Sequence, residues 1–200
     1  MKTPQQKKNQ RLILLIFAMT FIPFLMAWYL KENPDLLAAR TSNNGTLITP
    51  PLTTELADLV GFDQFSRDNM QELTGHWVLV NIIPESECTA DCLKALHATK
   101  QLLLMMGKDL VRIRRVALLL KTVEPSLAER WWQDDTRLLR ANPTAGLLEK
   151  VNSIRKSNLP DGLLLLMDPL GNLMMQYESG FNPYKVKDDL RKLLTVSQIG

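Results

Sequence analysis

The chain has 200 residues, enough for one domain with a sizeable core plus appendages, and its 46% apolar content is ordinary for a globular protein. The formal net charge is only +3, and Lys2, Lys7, Lys8 and Arg11, with no acid among residues 1–11, carry that excess. The remainder is near neutral and holds no basic patch interleaved with aromatics, so a nucleic-acid groove is excluded.

Residues 1–11 read as a cytoplasmic tail. Leu12–Leu30 is an uncharged apolar run. At ~1.5 Å per residue it crosses the ~30 Å hydrocarbon layer, so 12–30 is read as a transmembrane anchor. Lys and Arg stand before it, which by the positive-inside rule puts the N-terminus in the cytoplasm and everything after Leu30 outside. Trp28 and Tyr29 fall where an outer aromatic belt lies, and Pro23 is tolerated in such a helix. A cleaved signal peptide is the competing reading. It asks for a shorter apolar region of ~7–15 residues followed by a small-x-small site, whereas Trp28, Tyr29 and Leu30 are bulky. The expected location is therefore a single-pass inner (plasma) membrane protein with a periplasmic, or otherwise extracytoplasmic, C-terminal domain.

Residues 31–54, with Pro34, Pro50, Pro51 and the run TSNNGT, sustain no apolar period and read as a mostly irregular tether with one short helix near Asp35–Arg40. Residues 55–200 form the folded domain. Leu56, Leu59 and Val60 give weak helical spacing before a turn at Gly61, and Phe62 and Phe65 are expected to pack on the domain edge. Trp77–Ile83, bounded by Gly75 and Pro84, has the length and Val/Ile content of a buried strand. A polar loop follows, then Cys88, Cys92 and a helix over about Thr89–Met106 that Gly107 stops. Val111–Lys121 is the second strand. Pro125 opens a helix carrying Trp131, Trp132, Leu138 and Leu139, and Asn142-Pro143 separates it from a second helix over Thr144–Lys156. Leu163–Met167, the turn Asp168–Gly171 and Leu173–Tyr177 make a hairpin. Tyr184–Val196 closes the chain as an amphipathic helix. A βαβ unit followed by a ββα unit predicts an α/β protein of thioredoxin-like topology, behind a single N-terminal transmembrane helix.

The stretch GHWVLVNIIPESECTADC organises the rest. It holds the only two cysteines, as Cys-x-x-x-Cys, where a strand hands over to a helix. The N–H groups and positive dipole end of a helix N-terminus stabilise a thiolate there. In an extracytoplasmic domain such a pair sits where disulfides persist. Ideal helical i, i+4 spacing leaves Cβ atoms ~5–6 Å apart, beyond the ~3.5–4.5 Å a disulfide needs. A bond between Cys88 and Cys92 therefore requires Cys88 to lie in the loop or in a loosened first turn. Two thiolates suit both Cu(I) ligation and disulfide exchange. Glu85, Glu87 and Asp91 flank the pair, and their negative charge opposes thiolate formation.

The same stretch resembles the strand-plus-motif segment of the Sco (SenC) family, membrane-anchored thioredoxin-like proteins that help build the copper centre of cytochrome c oxidase. DGLLLLMDPLGNL resembles that family's strand ending in Asp-Pro-x-Gly, and LLLKTVEPSLAERW sits where the family has a strand and a Pro-containing acidic turn. The resemblance covers about Gly75–Leu194. It implies copper as the metal handled, a cytochrome c oxidase subunit as partner, the inner membrane as anchorage, and Cys88 and Cys92 as both the catalytic thiols and the Cu(I) ligands. The chain departs from the family in carrying Thr89 where Pro usually follows the first Cys. It also lacks the distal His, for no His follows His97 and Pro160 occupies the corresponding region, as the proline facing the cysteines does in thioredoxins. His97 points to the opposite helix face from the cysteines and His76 lies at the far end of its strand, roughly 20 Å away, so neither is a convincing third ligand. The expected function is a thiol–disulfide reductant or weak Cu(I) carrier in oxidase biogenesis. The alternative is a non-catalytic assembly factor that uses the fold for docking.

Overall fold

The structure, a computed structural model, describes residues 4–33, 43–155 and 158–197. It divides into two units, Met1–Ser42 and Asn43–Gly200. In the first, α1 (Pro4–Glu32) contains Asn9–Glu32, the one helix among the described residues long and apolar enough to cross a membrane. Its large apolar side chains, among them Leu14, Phe17, Phe24 and Trp28, are exposed all along it, as a lipid-facing helix requires. Thr20 satisfies its hydroxyl within the helix by donating to the Ile16 carbonyl at 3.2 Å. The short helix expected near Asp35–Arg40 lies outside the described residues.

The second unit is one seven-stranded sheet in the order β1-β7-β6-β3-β4-β5-β2. The strands are β1 (Thr46–Thr53), β2 (Leu59–Gly61), β3 (Trp77–Ile83), β4 (Ile113–Leu119), β5 (Leu139–Pro143), β6 (Leu164–Met167) and β7 (Asn172–Tyr177). The helices are α2 (Gln64–Asn69), α3 (Ala90–Met105), α4 (Pro125–Trp132), α5 (Ala145–Ser153) and α6 (Pro183–Val196). β3 runs parallel to β4 and antiparallel to β6, which pairs antiparallel with β7. With α3 linking β3 to β4 and α6 closing the chain, this is the expected βαβ-plus-ββα thioredoxin-like topology.

All seven residues of β3 are buried, because helices cover both faces of its sheet. Val78, Val80 and Ile82 pack on one face with Leu147 and Val151 of α5. Trp77 and Leu79 pack on the other with Leu102 and Leu103 of α3 and Val186, Leu190 and Leu194 of α6. Ile83, at the end of the strand, joins a third cluster with Cys92, Leu96 and Trp132.

Four strands depart from expectation. β1 lies in the segment read as an irregular tether. It pairs antiparallel with β7 at the sheet edge, where Pro50 and Pro51 interrupt no ladder that a neighbour needs. β5 takes Leu139 and the Asn142-Pro143 step out of the helical region and pairs parallel to β4. Arg140, buried and ion-paired to Asp63 at 2.8 Å, breaks the apolar pattern that marks a strand. β2 completes the opposite edge against β5. Val111 and Arg112 belong to a 3-10 turn, so β4 starts only at Ile113.

Buried Asp189 on α6 fastens the start of β1 to the domain. It accepts from the Asn44 and Gly45 backbone N–H groups at 2.7 and 3.1 Å, and from the Tyr177 hydroxyl at 3.1 Å. Burial, then the Asp189 charge, pushes that phenol well above its ordinary pKa.

Candidate redox site

Three backbone segments meet at one end of the sheet. β3 and β4 both finish there, with Ile83 opposite Leu119, and antiparallel β6 begins there after the loop 158–163. Cys88 and Cys92 are joined by a disulfide with a Cα–Cα distance of 5.3 Å, inside the usual ~4.4–6.8 Å range. Thr89 is the N-cap of α3, so Cys88 stands just outside the helix and Cys92 in its first turn. That satisfies the geometric requirement deduced from the spacing. The Thr89 carbonyl accepts the first intrahelical bond from Leu93 at 3.0 Å, and its hydroxyl oxygen accepts from Asp91 N–H at 3.3 Å.

The two sulfurs differ in environment. Cys92 is 2% exposed, among Ile83, Leu96, Ala117, Leu119, Val123, Ala128, Trp132 and Leu138. Cys88 is half-buried and packs on the same cluster, as do Phe62 and Trp131. Phe62 meets Trp132 edge-on, and Trp132 meets Trp131 likewise. Cys88 is thus the more exposed residue of the pair.

Of the flanking acids, Glu85 is paired with Lys121, and Asp91 with Lys94 at 2.9 Å; Glu87 is exposed in the loop. Two of the three carboxylates thus carry a cation, and their opposition to a thiolate is weaker than the sequence alone implies. Pro160 is half-buried, and the Leu159–Pro160 bond is trans, because the one cis bond among the described residues is Thr49–Pro50.

Sequence reasoning missed the residues next to Pro160. Asp161 Oδ2 accepts from Thr89 N–H at 3.1 Å and from the Thr89 hydroxyl. Gly162, at φ +81°, brings its Cα so close to the motif that an added Cβ would lie 2.9 Å from the Asp91 carbonyl oxygen. Pro-Asp-Gly reads only as a turn, and a contact to Thr89 72 residues away leaves no local pattern.

The donor set for a metal is short. No group of three His, Cys, Asp or Glu side chains able to hold an ion occurs among the described residues. His97 is exposed on α3 with its Nε2 on Gln101, and His76 precedes β3 with its Nδ1 on the Thr74 carbonyl, at the end opposite the cysteines. Once reduced, the pair offers two soft sulfurs, which fits Cu(I). It supplies no nitrogen for Cu(II).

No curated protein matches the chain in sequence. Among solved structures, the apo Sco1 protein of Thermus thermophilus is similar at 15% identity and a TM-score of 0.55, over 78% of this chain and 99% of that one. A putative electron transfer protein of Aquifex aeolicus is similar at 16% identity and a TM-score of 0.50, over 70% of this chain and 96% of its own. At such identities the likeness is one of fold, and it makes this a Sco-like thioredoxin fold. A family model described as "Transmembrane-like, thioredoxin-like, C-terminal domain" matches residues 77–197, from the first residue of β3 to the residue after α6. On that match, which takes in β3, the cysteine motif, the 158–163 loop and the closing helix, the chain belongs to the transmembrane-like, thioredoxin-like C-terminal domain family.

Proposed function

We propose that this protein is a membrane-anchored, extracytoplasmic thiol–disulfide reductant of Sco type, acting in cytochrome c oxidase biogenesis. The observation that carries the reading is the asymmetric pair: a half-buried Cys88 before the N-cap, bonded to a buried Cys92 in the first turn of α3. In the dithiol form, the Cys88 thiolate attacks a partner disulfide and displaces one partner thiol. Cys92, its thiolate stabilised at the helix N-terminus, then attacks Cys88 Sγ, releases the second partner thiol and closes the Cys88–Cys92 bond. Two electrons and two protons pass to the partner, and a dithiol donor restores the starting state. Copper enters this reading only as cargo. The reduced pair would hold Cu(I) weakly through Cys88 and Cys92, two soft sulfur donors with no third ligand beside them among the described residues.

The test uses the full chain in detergent. After anaerobic reduction both thiols should be countable, and oxidised glutathione should return the protein to an intramolecular disulfide with no dimer. In cells, Cys88→Ser should lower oxidase assembly at least tenfold. Intact assembly in that variant would transfer the protein to the alternative class, a docking factor without thiol chemistry. Dimers alone on oxidation would overturn the exchange reading.

A further inference from the structure

The segment Pro160–Gly162 is bound to the disulfide ring from two sides. Thr89 lies within the Cys88–Cys92 ring, and both its N–H, at 3.1 Å, and its hydroxyl donate to Asp161 Oδ2. On the other side, the Gly162 backbone rests on the carbonyl of Asp91, also a ring residue. The Thr89 N–H precedes the helix and has no intrahelical acceptor, so the carboxylate satisfies a donor that would otherwise turn to water. The second oxygen, Oδ1, is buried with no hydrogen-bond partner.

The consequence concerns ring closure. Cys88 can bond to Cys92 only while residues 88 and 89 stay out of the helix. If they wind into α3, the Cβ atoms separate to the ~5–6 Å of a helical i, i+4 pair and the bond is out of reach. Holding Thr89 extended, at φ −71° and ψ 178°, keeps Cys88 in place. We propose that Asp161 is a positioning residue for thiol–disulfide exchange: its clamp on Thr89 favours the closed Cys88–Cys92 ring and so sets how reducing the pair is. This deepens the exchange reading above and rests on it.

The test equilibrates the full chain in detergent with dithiothreitol at graded ratios of reduced to oxidised reagent. Dithiothreitol passes two electrons and two protons to the disulfide and becomes its cyclic disulfide, and trapping free thiols by alkylation gives the equilibrium constant. Asp161→Ala should shift that constant about three- to tenfold toward the dithiol, the range for the net worth of an ordinary hydrogen bond at an exposed site. Thr89→Val keeps the backbone N–H and should shift it less. Thr89→Ser retains the hydroxyl and should recover what Thr89→Val loses. The double variant Asp161→Ala/Thr89→Val should shift no further than Asp161→Ala alone, since both remove one clamp. If Asp161→Ala does not fold, the Thr89 pair decides by itself. A wild-type pair that cycles normally, with Asp161→Ala or Thr89→Val unchanged from it, overturns the clamp alone. A wild-type pair that cannot be cycled overturns the exchange reading, and the clamp with it.

Discussion

Gly162 shows how much of the site rests on a residue with no side chain. Its φ of +81° is left-handed, and a Cβ there would lie 2.9 Å from the Asp91 oxygen and 3.0 Å from Ser179 Oγ. Gly75 has a similar φ of +75° but nothing within 4 Å of the same position. Both alanine variants carry the backbone strain, of order 1 kcal/mol, and only Gly162→Ala adds the collision with the motif, for a total of about 2–3 kcal/mol. Thermal unfolding of the two variants side by side should show the larger loss at Gly162, and equal losses would mean that the approach to Asp91 is of no consequence. The cysteines themselves were legible in the sequence, because a Cys-x-x-x-Cys at a strand–helix junction is a local pattern with a local cause. Asp161 and Gly162 were not. Their meaning comes from the return of β6 to the end of β3, and nothing in a Pro-Asp-Gly turn announces what it will face.

At the scale of elements, the central strands could be read and the edges could not. β3 and β6 are buried along their whole length, so their apolar runs carry the signal directly. β1 and β5 are defined by pairing instead, and their prolines and arginine hide them. Between two apolar clusters, α3 and β4 share a polar seam that packing alone would not suggest. Arg115 on β4, 1% exposed, donates to Thr99 Oγ1 at 3.1 Å, to the Leu96 carbonyl at 2.8 Å and to Asp135 at 2.7 Å. Burial lowers the pKa of its guanidinium, and Asp135 works against that shift. Removing the carboxylate leaves a buried cation without its counter-charge. Asp135→Ala should therefore cost about 3–5 kcal/mol, whereas Arg115→Met, which removes the charge and keeps the volume, should cost much less. Denaturant titration of both variants checks the order, and a smaller loss for Asp135→Ala would refute a charge-driven seam.

At the scale of the whole molecule, the exchange reading requires that the sheet lie in an oxidising compartment. A disulfide between Cys88 and Cys92 persists outside the cytoplasm and is kept reduced within it. α1 is long and apolar enough to cross a membrane once, which by itself leaves either side open to the domain. The bias that decides is short-range. Lys2, Lys7, Lys8 and Arg11 precede the apolar run with no acid among them, whereas Lys31 beyond it is followed at once by Glu32. Counted within ~15–20 residues of the helix ends, Lys and Arg favour the side before Leu12, and the positive-inside rule predicts that this side stays in the cytoplasm. A reporter active only outside the cytoplasm, fused after Gly200, should therefore be active, and a reporter active only inside should be silent. The intact mass of the membrane-bound protein supplies the second half of the test. An uncleaved anchor keeps residues 12–30, as the bulky Trp28, Tyr29 and Leu30 lead one to expect, while a shorter mass beginning after this stretch would mean a processed leader. Moving the basic residues should reverse the result: Lys7→Glu and Lys8→Glu, with two lysines added beyond Glu32, should silence the outside reporter. If the outside reporter stays silent in the wild-type fusion, the domain faces the reducing side, and the reading of an extracytoplasmic thiol–disulfide reductant falls.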